Sequence, residues 1–391
     1  MKNSEFSNLV KEIQEDVIAW RRHLHKYPEL SFQEESTAQF IYETLQSFEN
    51  LEVLRPTKTS VMARLIGKHP GKTLAIRADI DALPIQEENS LSFSSIYPGV
   101  MHACGHDGHT AILLGTAQIL STLQDQIKGE VRFLFQHAEE LAPGGAVEMV
   151  QAGVMEGVDM IIGTHLWSPL EIGKIGVATG PVMASPDTFS INITGQGGHA
   201  GLPHQTVDAI AIGAQVVSNL QYIVSRNVDP LDTLVLSITK FAGGSAMNII
   251  SGSVEIAGTV RLFKTELRPT IHGLMERIVK GIVEAHGASY VLTYNEGVHP
   301  VVNDKEVTRV IEETVCELWG DEALALMKPS MGAEDFSAFQ IKAPGTYFFT
   351  GSGNKEKGTD YPHHHPRFNI DENALSNGIN MFVHAAFKLL N

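Results

Sequence analysis

Short apolar runs alternate with amphipathic segments of helical length along the first part of the chain. Residues 5–26 and 34–47 each have the spacing of an amphipathic helix. Farther along, strand-like and helix-like patterns follow each other: apolar runs at 73–78, 131–136 and 160–164, with helical patterns at 108–123 and 145–152 between them. Buried strands that alternate with helices predict an α/β fold with parallel strands in its sheet.

Polar residues follow each of the three predicted strands. They are Asp79-Ile80-Asp81, Glu139-Glu140 and His165. In an open α/β sheet, sites form in the crevice beyond the carboxyl ends of the strands. We therefore expect these three segments to meet at one edge of the sheet and to form the functional site there.

The pattern changes near residue 184. Strand-like and helix-like segments then follow in the order β-α-β-β-α-β up to residue 295, which is the ferredoxin-like arrangement. The chain has 391 residues, more than one hydrophobic core usually organises. We predict a main domain of residues 1–183 and 296–391, in which a mixed sheet is flanked by helices. Residues 184–295 are predicted to form an inserted α+β domain.

Composition and charge exclude several classes of partner. Hydrophobic residues make up 43% of the chain and charged residues 19%, and the formal net charge is −16. This acidic balance, without a basic run, argues against nucleic acid and anionic membrane surfaces as partners. The N-terminal residues carry no apolar signal region, and no stretch reaches the roughly 20 apolar residues of a membrane helix. Because two cysteines are too few for a disulfide framework, we expect a cytoplasmic location.

Two segments carry residue types that suit metal-assisted hydrolysis. Cys104 and His106 lie in a loop rich in glycine and histidine, and Glu139 and Glu140 are adjacent. Thiolate, imidazole and carboxylate are transition-metal ligands, and a free carboxylate beside them can act as a general base. Other interpretations stay open from the residues alone. Cys104 is then a core thiol or a nucleophile, and the two glutamates form a solvated acidic loop.

Other candidate residues are ambiguous by themselves. His165 follows an apolar run, where a histidine is more often part of the core than a ligand. Three consecutive histidines, 363–365, lie between prolines, and at most one or two of them can point into one site. His199 lies in a glycine-rich segment, and Asn248 and Arg261 are either surface polar residues or donors to a bound anion.

Together, these motifs resemble those of the M20 metallopeptidase family. The resemblance is to its amidohydrolase branch of aminoacylases, hippurate hydrolases and auxin-conjugate (IAA–amino acid) hydrolases, and it runs nearly end to end. The matching segments are 22–30, 77–84, 102–109, 136–140, 163–165, 198–200, 258–261, 331–336 and 364–366. One departure is Gln136-His137, where relatives often have Gln-Pro.

The resemblance implies a zinc-exopeptidase-like main domain with a centre for two divalent metal ions. Manganese, zinc, cobalt and nickel are the candidate metals. The positions of the metal ligands are Cys104, His106, Glu140, His165 and His364. His364 is chosen over His365 because the family pattern is His, any residue, Pro. Glu139 has the position of the general base, and Asp81 is expected to orient the site from behind the ligands.

The resemblance also implies a homodimer that forms through the inserted domain. His199 matches the histidine that one subunit lends to the cleft of the other, and Asn248 and Arg261 match positions that hold the substrate carboxylate. The expected activity is hydrolysis of the amide bond of small-molecule N-acyl-L-amino acids, by a metal-activated water with Glu139 as general base.

Several alternatives to this activity remain at this point. A carboxypeptidase, a dipeptidase and an N-acetyl-diaminopimelate deacetylase would use the same apparatus. A metal-dependent ligand-binding protein would keep the same ligands without catalysis, and a cysteine hydrolase would work without the metal. The motifs do not specify the acyl group.

Overall fold

The alternation of helices and strands expected for the first part of the chain is present in the computed structural model, which describes residues 3–391. The elements up to residue 183 are α1 (Asn3–Glu12), α2 (Gln14–Lys26), α3 (Glu35–Gln46), β1 (Leu51–Leu54), β2 (Val61–Ile66), β3 (His69–Asp79), α4 (His106–Thr122), β4 (Lys128–Gln136), α5 (Gly145–Gln151), β5 (Met160–Glu171), β6 (Ile175–Val177) and β7 (Gly180–Met183). The single helix predicted over 5–26 is wrong. It is divided into α1 and α2 because Ile13 has φ −98° and ψ 1°, outside the α-helical region.

The rest of the chain contains the β-α-β-β-α-β segment and then two long helices. The first group is β8 (Ser185–Thr194), β9 (Gly198–His199), α6 (Ala209–Tyr222), β10 (Leu234–Gly243), β11 (Ile249–Ile250), β12 (Ser253–Leu262), α7 (Arg268–Ala285) and β13 (Ser289–Asn295). The second is β14 (Val301–Asn303), α8 (Lys305–Trp319), β15 (Leu324–Leu326), α9 (Ser337–Gln340), β16 (Gly345–Gly353) and α10 (Asn373–Leu390). Within residues 3–391, no helix combines the length and the hydropathy of a membrane span.

These elements form two units. The larger unit comprises Met1–Val182, Val301–Pro329 and Asp335–Asn391, and the smaller unit comprises Met183–Pro300 and Ser330–Glu334. The division differs from the predicted domains, because segments 296–300 and 330–334 belong to the smaller unit. Segment 330–334 belongs to the smaller unit because its backbone pairs with the chain near residue 184. There the Ala184 N–H donates to the Gly332 carbonyl at 2.8 Å.

The larger unit is built on an eight-stranded mixed sheet in the order β1-β2-β4-β3-β5-β16-β6-β15. Its centre is parallel, with β3 between β4 and β5, and β16 beside β5. The pairs β1/β2, β2/β4 and β16/β6 are antiparallel. Every residue of β16 is buried, as expected for a strand covered on both faces. Helices α4, α8 and α10 pack against the sheet, which confirms the predicted mixed sheet flanked by helices.

Two of the three polar segments meet at the carboxyl edge of this sheet. β3 ends at Asp79 and β4 ends at Gln136, and these residues are register partners on adjacent parallel strands. The predicted end of the third strand is wrong, because His165 lies inside β5 rather than beyond it. Its imidazole still lies 3.5 Å from the Cys104 thiol. β5 continues past Gly163, where its pairing with β3 ends, because β16 pairs with its other side as far as Glu171.

The smaller unit has the predicted ferredoxin-like topology. Its four main strands form an antiparallel sheet in the order β10-β12-β8-β13. Alternate residues of β8 and β12 are buried in a core with apolar residues of α6 and α7, and the residues between them are more exposed. This core also contains a buried ion pair, in which Arg268 Nη2 donates to Asp187 Oδ1 at 2.7 Å. The role of this unit in dimerisation stays a prediction.

Candidate active site

Cys104 and His106 lie at the entry to α4. Gly105 is the N-cap between them and has φ +94°, a conformation that glycine adopts without strain. The first twelve residues of α4 are all buried, so the helix is anchored in the core of the larger unit. Cys104 is 8% exposed and His106 is 1% exposed. The loop and the buried helix together place a thiol and an imidazole inside the protein.

The orientation of His106 is determined by Asp81. His106 Nδ1 lies 3.0 Å from the backbone oxygen of Asp81 and 3.1 Å from its Oδ1. Both oxygens are acceptors, so Nδ1 carries a proton, and Nε2 is the nitrogen left to face a ligand. A carboxylate behind the distal nitrogen is the usual support of a metal-binding histidine. Asp81 therefore lies behind His106, and its role in orienting the site stays a prediction.

His165 lies beside the thiol. Its Nε2 is 3.5 Å from Cys104 Sγ, and its Nδ1 donates to the backbone oxygen of Leu166 at 2.8 Å. His165 is 6% exposed. As in His106, Nδ1 is hydrogen-bonded to a backbone oxygen, and Nε2 points toward the other ligand-type side chains.

Glu139 and Glu140 follow β4 in the loop before α5. The Glu140 N–H donates to Asp81 Oδ2 at 3.0 Å, and Glu140 Oε1 lies 3.9 Å from His106 Nε2. Both glutamates are partly buried, so they are not a fully solvated acidic loop.

His364 is the histidine of the 363–365 group that reaches this cluster. Its Nε2 lies 3.2 Å from Glu140 Oε1. Its backbone has φ +64°, and its N–H donates to the Ala103 oxygen at 2.8 Å. By contrast, His363 Nε2 donates to the Leu166 oxygen at 2.9 Å, and His365 Nδ1 accepts from a backbone N–H at 3.0 Å.

The clustered side chains form overlapping sets of ligand-type atoms, each within 4.8 Å of one another. The sets are Cys104/His106/His165, Cys104/Glu140/His364 and His106/Glu139/Glu140. Among the described residues, the buried His106 Nε2 has no hydrogen-bond partner, and the buried Glu140 Oε1 has only its ion-pair contacts with His364 at 3.2 Å and His106 at 3.9 Å. Buried polar atoms are normally satisfied, and a cation would satisfy both of these. The residues therefore fit a metal centre.

Burial and neighbouring charges give the cluster unusual protonation equilibria. Burial, followed by the charges of Glu140 and Glu139, raises the pKa of Cys104 well above its usual range. Burial by itself would lower the pKa of His106, but the charges of Asp79 and Asp81 raise it to about 10. A thiol with a raised pKa is a poor nucleophile, whereas a bound cation favours the thiolate. These values count against a cysteine hydrolase.

Asp79 and His109 form a further set with His106, but this set serves a different purpose. His109 Nδ1 donates to Asp79 Oδ1 at 2.5 Å, and His109 Nε2 accepts from the Leu166 N–H at 2.8 Å. With both nitrogens engaged, His109 cannot bind a metal ion. Arg77 also donates to Asp79, at 2.7 Å. His109 and Arg77 therefore hold Asp79, and sequence reasoning assigned no role to either residue.

A second buried network supports the start of α4. Asp107 Oδ2 accepts from Arg21 Nε and from His25 Nδ1, both at 2.8 Å, and His25 Nε2 bonds to Glu87 at 3.2 Å. Burial by itself would lower the pKa of His25, but hydrogen bonds to Asp107 and Glu87 raise it. Sequence reasoning missed this network, because its members come from segments far apart in the chain.

Glu34 is the least expected residue near the site. It is 0% exposed, and its Oε1 accepts the Ala138 N–H at 2.7 Å. Burial, and then the nearby charge of Asp81, raise the pKa of Glu34 to about 7. From the sequence, Glu34 is only the first residue of an amphipathic helix. The contact spans 104 positions, so no local signal could have identified it.

The remaining candidate residues belong to the smaller unit. The segments of His199 and Asn248 lie side by side, because the Ala200 N–H donates to the backbone oxygen of Asn248 at 3.0 Å. Both residues are exposed. Arg261 lies on β12, where its Nε donates to Thr259 Oγ1 at 3.2 Å. Burial lowers the pKa of Arg261.

Glu34 should make the stability of the protein depend on pH. Because its pKa is raised from 4.5 to about 7 in the folded state, its stabilising contribution is complete below pH 4.5 and is lost as the pH rises through 7. Glu34→Gln cannot ionise and avoids this loss. Relative to the wild type, we expect the variant to gain about 1 to 3 kcal/mol of unfolding free energy between pH 5 and pH 8. Urea unfolding of the metal-stripped proteins measures this difference, and a difference independent of pH would contradict it.

Comparison with known proteins agrees with this geometry. The chain is 69% identical over 306 residues to an N-acyl-L-amino acid amidohydrolase of Geobacillus stearothermophilus, covering 78% of this chain and 83% of the relative. It is 42% identical over 391 residues to thermostable carboxypeptidase 1 of Saccharolobus solfataricus, covering 99% and 98%. A crystal structure described as a dinuclear metal-binding M20 peptidase of Bacillus subtilis superposes with a TM-score of 0.84 at 38% identity, covering 97% of this chain and 99% of that one.

The family follows from these matches. The sequence profile of peptidase family M20/M25/M40 matches residues 75–388, a segment that includes the whole cluster from Cys104 to His364. The family suggested by the sequence motifs is thereby confirmed. The chain belongs to peptidase family M20/M25/M40.

Proposed function

We propose that this protein is a metal-dependent amidohydrolase that cleaves the amide bond of N-acyl-L-amino acids. The observation that carries the proposal is the cluster in which Glu139 stands beside Glu140 and His106, with ligand-type atoms within 4.8 Å of one another. Such a cluster combines metal ligands with a carboxylate that can serve as a base. The 69% identity to an N-acyl-L-amino acid amidohydrolase supports the substrate class.

Two divalent cations would be held by five side chains: Cys104, His106, Glu140, His165 and His364. Two of the ligand sets share Cys104, an arrangement that suits a pair of neighbouring cations better than a single one. When bound, such cations lower the pKa of a water ligand and polarise a carbonyl group. Manganese, zinc, cobalt and nickel are the candidates, and the thiol ligand favours the softer of these metals.

Glu139 is the general base in this proposal. Its carboxylate accepts a proton from the attacking water and returns that proton to the leaving nitrogen. Asp81 keeps the His106 proton on Nδ1 and bonds the Glu140 N–H, so it orients both neighbours of the base. The substrate carboxylate is recognised by Arg261 and Asn248, whose side chains are donors to an anion.

The active protein is proposed to be a homodimer that forms through the smaller unit. β10 is an edge strand of its sheet, and exposed apolar side chains lie on it and after it: Phe241 is 44% exposed, Ile249 50% and Met247 104%. An exposed edge with apolar side chains favours association. His199 of the partner subunit would then stabilise the developing oxyanion. Both cysteines are free, in keeping with a cytoplasmic location.

Glu139→Gln should abolish turnover without removing metal. Loss of the base should lower kcat about 10²- to 10⁴-fold, since that is the usual contribution of general base catalysis. Metal content per chain, measured by elemental analysis, should stay at the wild-type value. The matched control is Glu140→Gln, which should lose metal. Substantial kcat in the metal-replete Glu139 variant would contradict the assignment.

Substrate class and metal dependence are tested together by a hydrolysis panel. Chelator-stripped protein, restored with each of the four candidate metals, is offered N-acyl amino acids and unblocked dipeptides. We expect hydrolysis of the N-acyl amino acids, loss of activity on stripping, and recovery with metal. Cleavage of the dipeptides alone would favour a peptidase, which the 42% identity to a carboxypeptidase keeps as the second candidate. Binding without cleavage would indicate a ligand-binding protein, and activity after complete stripping would indicate a cysteine hydrolase.

Complementation between inactive variants tests the shared site. In a homodimer, the His199→Ala and Glu139→Gln chains should each be inactive alone. When they are co-expressed, the mixed dimer has one site with both groups intact, so activity should return. Sedimentation of the wild type measures the oligomeric state. A monomer, or a lack of complementation between chains that do form mixed dimers, would contradict the proposal.

A further inference from the structure

The turn between α2 and α3 lies against the loop that carries Glu139. Two direct contacts and one bridge through Asp81 join them. The Phe32 ring meets His137 edge-on, with centroids 5.6 Å apart. Glu34 Oε1 accepts the Ala138 N–H at 2.7 Å. Ser31 Oγ donates to Asp81 Oδ2 at 2.7 Å, and the same oxygen accepts the Glu140 N–H at 3.0 Å. The turn precedes residues 75–388, the segment that matches the family profile.

The two peptide N–H groups that flank Glu139 therefore both donate to buried carboxylates. The residue before Glu139 donates to Glu34, and the residue after it donates to Asp81. Glu34 is 0% exposed and Asp81 is 1% exposed. Hydrogen bonds are stronger in a buried environment than in water, and the bond to the ionised Asp81 carboxylate is also charge-assisted, so the backbone on both sides of Glu139 is held firmly.

Ala138 needs such a restraint. It is buried and has φ +48°, in the left-handed region that residues with a Cβ seldom adopt. Its oxygen accepts the Gly145 N–H at 2.9 Å, and its N–H is held by Glu34. Without the Glu34 acceptor, the Ala138 N–H would be buried without this partner, and the peptide could relax toward an ordinary conformation.

We propose that Glu34 is a positioning residue for the general base: it holds the Ala138 peptide so that the Glu139 carboxylate stays beside His106 and Glu140. The part of this inference that concerns catalysis rests on the proposed function. Its physical content is independent of substrate, because it concerns how the 137–140 loop is held. A base displaced by about 1 Å loses roughly 10²-fold in rate, so such a restraint matters to turnover.

The test compares two replacements of Glu34 with one matched control. Glu34→Met keeps the length of the side chain and removes the acceptor, whereas Glu34→Gln keeps an acceptor for the Ala138 N–H. The control is Glu29→Met, in the same turn, which removes a carboxylate that accepts the Ser36 N–H at 3.1 Å and the Thr37 N–H at 2.7 Å, at the start of α3. All three are studied as full-length, metal-loaded protein.

For Glu34→Met we expect kcat to fall about 10- to 100-fold, with KM and metal content near wild-type values. Glu34→Gln should restore most of the kcat, and Glu29→Met should lower thermal stability without a selective loss of kcat. Amide hydrogen exchange, followed by mass spectrometry, should become faster in peptides covering 137–140 for Glu34→Met alone.

Each contrary result has a distinct meaning. Wild-type kcat in Glu34→Met, with Glu139→Gln inactive, would overturn the positioning role and leave the proposed function intact. Equal losses of kcat in Glu34→Met and Glu29→Met would also overturn it, since both would then reflect general destabilisation. If the wild type cleaves no substrate in the panel, the proposed function fails. The hydrogen-exchange measurement then decides by itself whether Glu34 holds the 137–140 loop. Unchanged exchange in 137–140 then overturns the inference, and faster exchange confined to Glu34→Met supports it.

Discussion

The carboxylate of Asp81 joins three separate segments of the larger unit. Its Oδ1 bonds the imidazole of His106, and its Oδ2 accepts both the Ser31 hydroxyl and the Glu140 N–H. Burial by itself would raise the pKa of Asp81, but the hydrogen bond to His106 lowers it, so the group is held as a carboxylate. A buried carboxylate is stable only when its lone pairs are matched by donors. Because these donors come from the α2–α3 turn, α4 and the loop after β4, their relative positions are coupled to one another.

Other buried charges around the site follow the same rule. Asp79 is paired with His109 and Arg77, and Asp107 with Arg21 and His25. Removing one partner of a buried ion pair leaves an uncompensated charge, which is costly. These networks therefore hold α4 and β3 in one relative arrangement. The ligand-type side chains on those elements are held in defined positions as a result. Such support behind the reactive groups is what a preorganised site requires.

Much of this arrangement was accessible from the sequence, because the relevant signals are local. Apolar runs that end just before Asp79 and at Gln136 indicated parallel strands, and in the structure Asp79 and Gln136 are register partners on adjacent strands. Tertiary pairing overrode the local pattern elsewhere. His165 lies inside β5 because β16 extends that strand, and the 330–334 segment belongs to the smaller unit because it pairs with residues near 184. The break at Ile13 divides a helix whose amphipathic spacing was continuous.

The sequence by itself determined the alternation of elements, the ferredoxin-like segment and the identity of the reactive side chains, because hydrophobic period and short motifs are properties of neighbouring residues. Only the tertiary structure decided three contacts. Glu34 accepts the N–H of the residue before Glu139, His109 Nδ1 donates to Asp79, and His364 Nε2 lies beside Glu140. Those contacts join residues from distant parts of the chain. Their existence depends on how buried donors and acceptors are matched once the sheet and helices have packed.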